Sequence, residues 1–188
     1  MPDARRAAVF LDRDGTLVED PGYLHEAENL RLLPGVGPAV ARFNQAGHAV
    51  VVVSNQSGIA RGLYTELAFH AVQARLGELL AEHRARIDAA YFCPHHPEVT
   101  GPCACRKPGT HLFELAARDL DLDVRRSWFI GDRLHDLLPA TALGGRGILV
   151  LTGRGTAEAE AALQAGFATV PDLSAAAALV LRDLPSHV

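Results

Sequence analysis

Short apolar runs alternate along the chain with stretches in which apolar residues recur every three or four positions. The first pattern predicts buried strands and the second amphipathic helices. Strands are expected at Ala7–Leu11, Ala49–Val53, Ala89–Phe92, Trp128–Ile130, Gly147–Leu151 and Ala168–Val170. Val36, Val40 and Phe43 mark one helical face, with Gly47 as its C-terminal stop. Val72, Leu76, Leu79 and Leu80 mark a second, with Thr65 placed as N-cap. Leu112, Phe113, Ala116 and Leu120 mark a third, after Thr110, and alanine-rich segments 156–165 and 174–182 supply two more. Strands alternating with helices imply an α/β, Rossmann-like parallel sheet with helices on both faces. No repeat, linker or shift of composition divides residues 1–188, so one domain is expected.

Composition narrows the range of functions. The chain is 48% hydrophobic and 21% charged with a net charge of −4, and it has no basic stripe. Nucleic acid is therefore a poor partner, and no apolar run is long enough to span a bilayer. The first strand follows the N-terminus too closely for a signal peptide, so a cytoplasmic protein is expected. All three cysteines, Cys93, Cys103 and Cys105, fall within 13 residues, a clustering that favours metal over disulfides.

The polar residues at the strand ends carry the chemistry. The first strand runs into Asp12-Arg13-Asp14-Gly15-Thr16, where residues i and i+2 deliver two carboxylates to one side. The second ends in Ser54-Asn55-Gln56-Ser57, and the fourth in Gly131-Asp132-Arg133 with Asp136 four residues on. Asp136 suits either a helix cap or a supporting acid. Arg106-Lys107-Pro108 lies between strands three and four. In open α/β sheets the carboxyl ends of strands converge on one crevice. A nucleophilic carboxylate, a hydroxyl, a lysine and a metal-holding acid are the parts of phosphoryl transfer through an aspartyl-phosphate.

Together, Asp12 to Thr16, Ser54, Lys107 and the Gly131-Asp132 pair resemble the haloacid dehalogenase (HAD) superfamily of phosphotransferases. That resemblance implies Asp12 as nucleophile, Asp14 as general acid and base, and Ser54 and Lys107 as stabilisers of phosphoryl charge. It implies Mg²⁺ held by the Asp12 side chain, the Asp14 backbone carbonyl and Asp132. The stretch between Asp12 and Ser54 is too short for a cap domain, so a capless HAD-type fold with an open site is expected. A phospho-acceptor switch of the receiver type uses similar parts, but its acceptor follows a later strand.

Cys93-Pro94-His95 and Cys103-Ala104-Cys105 form two pairs of ligands, each at i and i+2. Three thiolates and one imidazole suit a closed, structural, tetrahedral Zn²⁺ site. His96 competes with His95, and the register of the first pair favours His95. The metal would pin loop 93–105 and fix Arg106 and Lys107 over the active site.

Within the superfamily three segments resemble the heptose bisphosphate phosphatases of cell-envelope sugar synthesis. These are Gly22 to Glu26, Ser54 to Gly62, and Cys93 to Pro97 with Cys105 to Pro108. The resemblance implies an enzyme that takes a small sugar bisphosphate, and a monomer is expected. It places Asp20, Pro21, Gly22, Tyr23, Asn55, Gln56 and Ser57 around the sugar and Arg106 at its second phosphate. Arg133 stands where those enzymes carry lysine, and Ser54 where threonine is common. Tyr23 and His25 could equally serve to pack their loop. The metal loop is shorter than theirs and nearer in length to that of the histidinol-phosphate phosphatases, the alternative assignment.

Overall fold

The structure, a computed structural model, describes residues 5–182. Six strands are β1 (Ala8–Leu11), β2 (Ala49–Asn55), β3 (Ala89–Cys93), β4 (Trp128–Gly131), β5 (Arg146–Val150) and β6 (Ala168–Val170). Seven helices are α1 (Val36–Gln45), α2 (Glu66–Ala81), α3 (Pro97–Thr100), α4 (His111–Asp119), α5 (Leu134–Leu143), α6 (Gly155–Gln164) and α7 (Leu173–Arg182). All six strands are parallel, in the order β3-β2-β1-β4-β5-β6. The order reverses beside β1, and that reversal opens the crevice in which such sheets hold ligands.

Alternation along the strands builds two cores. Val9 and Leu11 face a layer containing Val40 and Phe43 of α1, Leu76 of α2 and Ala176 of α7. Ala8 and Phe10 face the opposite layer, with Phe113 of α4, Leu137 of α5 and Ala162 of α6. There Phe10, Phe113 and Phe129 form a ring triangle with centroids 4.9–5.3 Å apart. Burying each of these rings contributes about 1.5–3 kcal/mol. Helices thus cover both faces, as the sequence pattern predicts.

Local signals act where they were expected. Thr65 Oγ1 accepts the Ala68 N–H at the start of α2. The α1 helix ends with the His48 N–H on the Phe43 carbonyl and the Gly47 N–H on that of Asn44. This doubly bonded stop places Gly47 just past the Ala46 cap. One helix is absent from the sequence reading, α3 inside the metal loop, and α5 after β4 entered it only through Asp136 as a possible cap. In α5 the N-cap is Arg133, so Asp136 is the third helical residue and not the cap. Its Oδ2 accepts the Arg133 N–H, satisfying a donor that the helix leaves unpaired.

Between β1 and α1 the chain forms two isolated bridges, Asp14 with Val18 and Val18 with Leu32, and a 3₁₀ turn at Ala27–Asn29. No cap domain is inserted there among the described residues. Among them, too, no helix is long and apolar enough to cross a membrane.

Candidate active site

Register brings the strand ends level. Leu11 pairs with Val52 on one side and Ile130 on the other, and the Asp12 N–H continues the ladder to the Ile130 carbonyl. Asp12, Ser54 and Asp132 therefore emerge side by side at the carboxyl edge. They border a cleft of about 320 Å³ lined on its acidic side by Asp12, Asp14 and Asp20. Gly22, Tyr23, Ser54, Asn55, Gln56, Ser57, Arg106 and Arg133, all expected from sequence, also line it. Pro21 is not among the lining residues, and Lys107 and Asp132 are buried beside the cleft.

Lys107 reaches this edge from the loop that leaves the cysteine cluster. Its Nζ lies 2.7 Å from Asp12 Oδ1 and 2.7 Å from Asp136 Oδ1, and it donates to the Val53 carbonyl at 2.6 Å. Its backbone is fixed by Asn55, whose Oδ1 accepts the Lys107 N–H and whose amide donates to the Lys107 carbonyl. Burial pulls the Lys107 pKa down, but Asp12 and Asp136 outweigh it and lift the value to about 12. Lys107 stays a cation. Burial also pushes Asp12 up to about 8, with Asp136, Asp14 and Asp132 adding to the rise and Lys107 opposing it. One ammonium does not offset four clustered acids.

A cation is what the remaining acids lack. Carboxylate oxygens of Asp12, Asp132 and Asp136 lie within 4.8 Å of one another. Asp132 is fully buried and lifted to about 6, first by burial, while the Arg154 N–H holds it down. That N–H meets Asp132 Oδ2 at 2.7 Å, and Oδ1 has no hydrogen-bond partner. An orphaned buried carboxylate oxygen beside two more hard donors fits Mg²⁺. Two glycines make room for the Asp132 carboxylate. A Cβ on Gly15 or on Gly153 would stand 2.2 Å from Asp132 Oδ2, and both residues have left-handed φ. Thr152 Oγ1 ties the two loops by donating to the Gly15 carbonyl.

Asp14 is gripped from behind. Arg13 Nε and Nη2 donate to its two oxygens at 3.0 and 2.9 Å, and Gln56 Nε2 adds a third bond to Oδ2. Tyr23 stands half exposed at the mouth, and the His25 ring stacks on Tyr64 with centroids 5.6 Å apart. Arg133 approaches Asp20 to 3.7 Å, and Arg106 Nη1 donates to the His95 carbonyl.

The four residues proposed for the second metal come together. Cys93, His95 Nδ1, Cys103 and Cys105 form one group with all ligand atoms within 4.8 Å. Sulfur separations are 3.1, 3.5 and 3.6 Å, close to the edge of about 3.8 Å for a tetrahedron with Zn–S near 2.3 Å. Burial raises Cys93 and Cys105, while the Arg106 backbone N–H and then the Cys105 and Cys93 thiols hold Cys103 down against burial. His96 turns elsewhere: its Nδ1 accepts the Glu98 N–H at the start of α3, and its Nε2 meets Arg61.

Sequence reasoning missed four groups at the site. Arg13 lies behind the cleft, and Tyr64, His135 and Arg154 line it. His135 and Arg154 follow the carboxyl ends of β4 and β5, a position that could have flagged them.

Known proteins place this geometry. A polynucleotide kinase 3 phosphatase family model matches residues 8–138, and a HAD-hydrolase-like model matches residues 104–176. The D-glycero-beta-D-manno-heptose-1,7-bisphosphate 7-phosphatase of Haemophilus ducreyi is 42% identical over 162 residues, 82% of this chain and 89% of that protein. The Salmonella typhi protein of the same name is 41% identical over 177 residues, 90% of this chain and 94% of its own. Among solved structures, the D,D-heptose 1.7-bisphosphate phosphatase from B. bronchiseptica, complexed with magnesium and phosphate, matches with a TM-score of 0.87. It is 35% identical and covers 95% of this chain and 99% of that one. The Burkholderia thailandensis enzyme of that name matches at 0.70 and 34% identity, covering 94% and 99%. The chain belongs to the HAD-like phosphatases, in the family of the heptose-1,7-bisphosphate 7-phosphatases.

Proposed function

We propose that this protein removes the 7-phosphate from D-glycero-D-manno-heptose 1,7-bisphosphate, leaving heptose 1-phosphate, through an aspartyl-phosphate on Asp12. One observation carries the chemistry. Asp12, held by a buried lysine, and Asp14, gripped from behind, face the same cleft. Curated relatives at 41–42% identity carry the heptose name, which favours this substrate over histidinol phosphate.

Asp12 and Asp132 side chains, with the Asp14 carbonyl, would hold Mg²⁺. Bound there, the ion neutralises crowded acids and draws charge from the phosphoryl oxygens. Asp12 forms a bond to phosphorus as the bond to the sugar oxygen breaks, and Asp14 gives that oxygen a proton. Asp14 then takes a proton from water as the water oxygen bonds to phosphorus and the bond between Asp12 and phosphorus breaks, freeing phosphate and the Asp12 carboxylate. Lys107 and Ser54 steady the charge that spreads over the transferring group. Cys93, His95, Cys103 and Cys105 would hold Zn²⁺ and stiffen the loop that presents Arg106 and Lys107. Arg106 offers a fork for the second phosphate.

Comparing kcat/KM for heptose 1,7-bisphosphate and for histidinol phosphate, both with Mg²⁺, tests the substrate. Preference for histidinol phosphate would reject the heptose reading. Asp12→Asn should abolish turnover while the metal in the cysteine cluster stays bound, and retained turnover would reject the nucleophile.

A further inference from the structure

Behind the two catalytic acids lies a closed set of hydrogen bonds that leads away from the substrate. Arg13, the residue between Asp12 and Asp14, is 0% exposed, and its guanidinium turns back on its own neighbour. Nε bonds Asp14 Oδ1, Nη2 bonds Oδ2, and the guanidinium carbon lies 5.3 Å from the centre of the Phe69 ring. A buried, side-on fork of this kind fixes the plane of a carboxylate as well as its position.

Gln56 completes the set, and its orientation is forced. Its Oε1 accepts from the Tyr64 hydroxyl at 2.5 Å and from Arg13 Nη2 at 3.2 Å. Arginine can only donate, so the oxygen must face that way. The Nε2 group then spends its two hydrogens on Asp14 Oδ2 at 2.9 Å and on Ser54 Oγ at 2.7 Å. Every bond the amide can make inward is made, although Gln56 borders the cleft. Two consequences follow by counting. Asp14 Oδ2 carries two donors and Oδ1 one, so Oδ1 is the oxygen with capacity for a proton. Ser54 Oγ already accepts from Gln56, so its own hydrogen is left to point at a cleft ligand.

We infer that Arg13 and Gln56 are positioning residues. They orient Asp14 so that Oδ1 exchanges the proton with the leaving group and water, and Gln56 turns the Ser54 hydroxyl toward the phosphoryl group. Gln56 thereby acts through two other side chains and is not a ligand of the sugar. The inference rests on the proposed role of Asp14 as proton donor and acceptor.

The test exploits the leaving group. A sugar alkoxide needs a proton to depart, whereas the phenolate of p-nitrophenyl phosphate does not, and kcat/KM reports the steps through departure. Arg13→Lys keeps the charge and loses the fork. It should lower kcat/KM for heptose bisphosphate about a hundredfold and that for p-nitrophenyl phosphate by less than about threefold. Gln56→Met should lower both, through Ser54, with a further loss of about tenfold or more confined to the sugar phosphate. Tyr64→Phe, which removes one hydroxyl, should show the same selectivity on a smaller scale. Equal losses on the two substrates in Arg13→Lys, or in Gln56→Met should the first variant not fold, would overturn the inference and leave only a packing role. Asp14→Asn separates the levels. If that variant itself fails to discriminate between the leaving groups, the proton-transfer reading falls, and this inference with it.

Discussion

Asp136 Oδ1 lies 2.7 Å from Lys107 Nζ, the same ammonium that lies 2.7 Å from Asp12 Oδ1. Both partners are almost fully buried, so the lysine is aimed by one acid that follows β1 and one in the first turn of α5. His135 approaches the same Asp136 oxygen to 3.3 Å. Removing Asp136 leaves the cation with one carboxylate and frees the Arg133 N–H at the start of α5. Asp136→Ala should therefore lower stability by about 1–3 kcal/mol, read from urea unfolding, and cut kcat more than it raises KM. Unchanged stability and kcat would show that Asp136 does not aim the lysine.

Magnesium binding should strengthen as pH rises from about 6 to about 8, the window set by Asp132 and Asp12. The sign follows from which species the ion needs. Below its raised pKa Asp12 holds a proton in the metal-free protein, and the ion must displace it, so each unit fall in pH weakens binding by up to about tenfold per proton. Calorimetric titration in two buffers of different ionisation heat would count the released protons. Affinity that stays flat across the window would contradict it.

Without metal, the same groups set how stability depends on pH. Their folded pKa values lie above the ordinary 3.8, so the folded protein binds protons that the unfolded chain has released. Their contribution thus falls as pH rises from about 4 to about 8. Thermal unfolding of chelator-treated protein in this range should show an upward shift with added Mg²⁺ that grows with pH. A shift largest at low pH would reverse the assignment.

Cys103→Ala removes one of the four side chains that would hold Zn²⁺ from a loop that is tied to Arg106 through the His95 carbonyl. Metal content should fall from one zinc per chain, beyond the magnesium, to less than half. Melting should move down by roughly 4 °C or more, about the effect of 1 kcal/mol or more in a chain of this size. Full zinc retention with unchanged melting would refute a structural metal there.

Arg106→Ala should reduce kcat/KM for the bisphosphate by about 10-fold or more, near the value of one charged hydrogen-bond pair. A sugar monophosphate should lose far less. Equal losses would exclude a contact with the second phosphate.

Much of this was legible beforehand because the relevant signals are local. An apolar run ending in Asp-Arg-Asp needs only strand periodicity to put two acids in one crevice. The Cys-x-His and Cys-x-Cys registers likewise select His95 over its neighbour, and the structure brings that quartet together. The contacts of Arg13 and Gln56, and the lysine that Asp136 supports, were hidden for the opposite reason. Each is decided by where a side chain goes after it leaves a correctly placed backbone. Arg13 folds back on the next residue, Gln56 turns inward from a cleft that it borders, and Asp136 sits one helical turn inside α5, facing a lysine 29 positions earlier in sequence. The loop after β5 offered only a glycine between two polar residues, with no sign that its backbone would clasp Asp132.

Gly15 and Gly153 carry no chemistry, yet a single methyl on either would collide with the acid that they flank. They should behave as mutational dead ends. In a saturation library selected for turnover, both positions should return glycine alone, as intolerant of change as the nucleophile itself. Diversity useful for altering specificity will then have to come from the rim, because the walls around Asp132 have no slack to give.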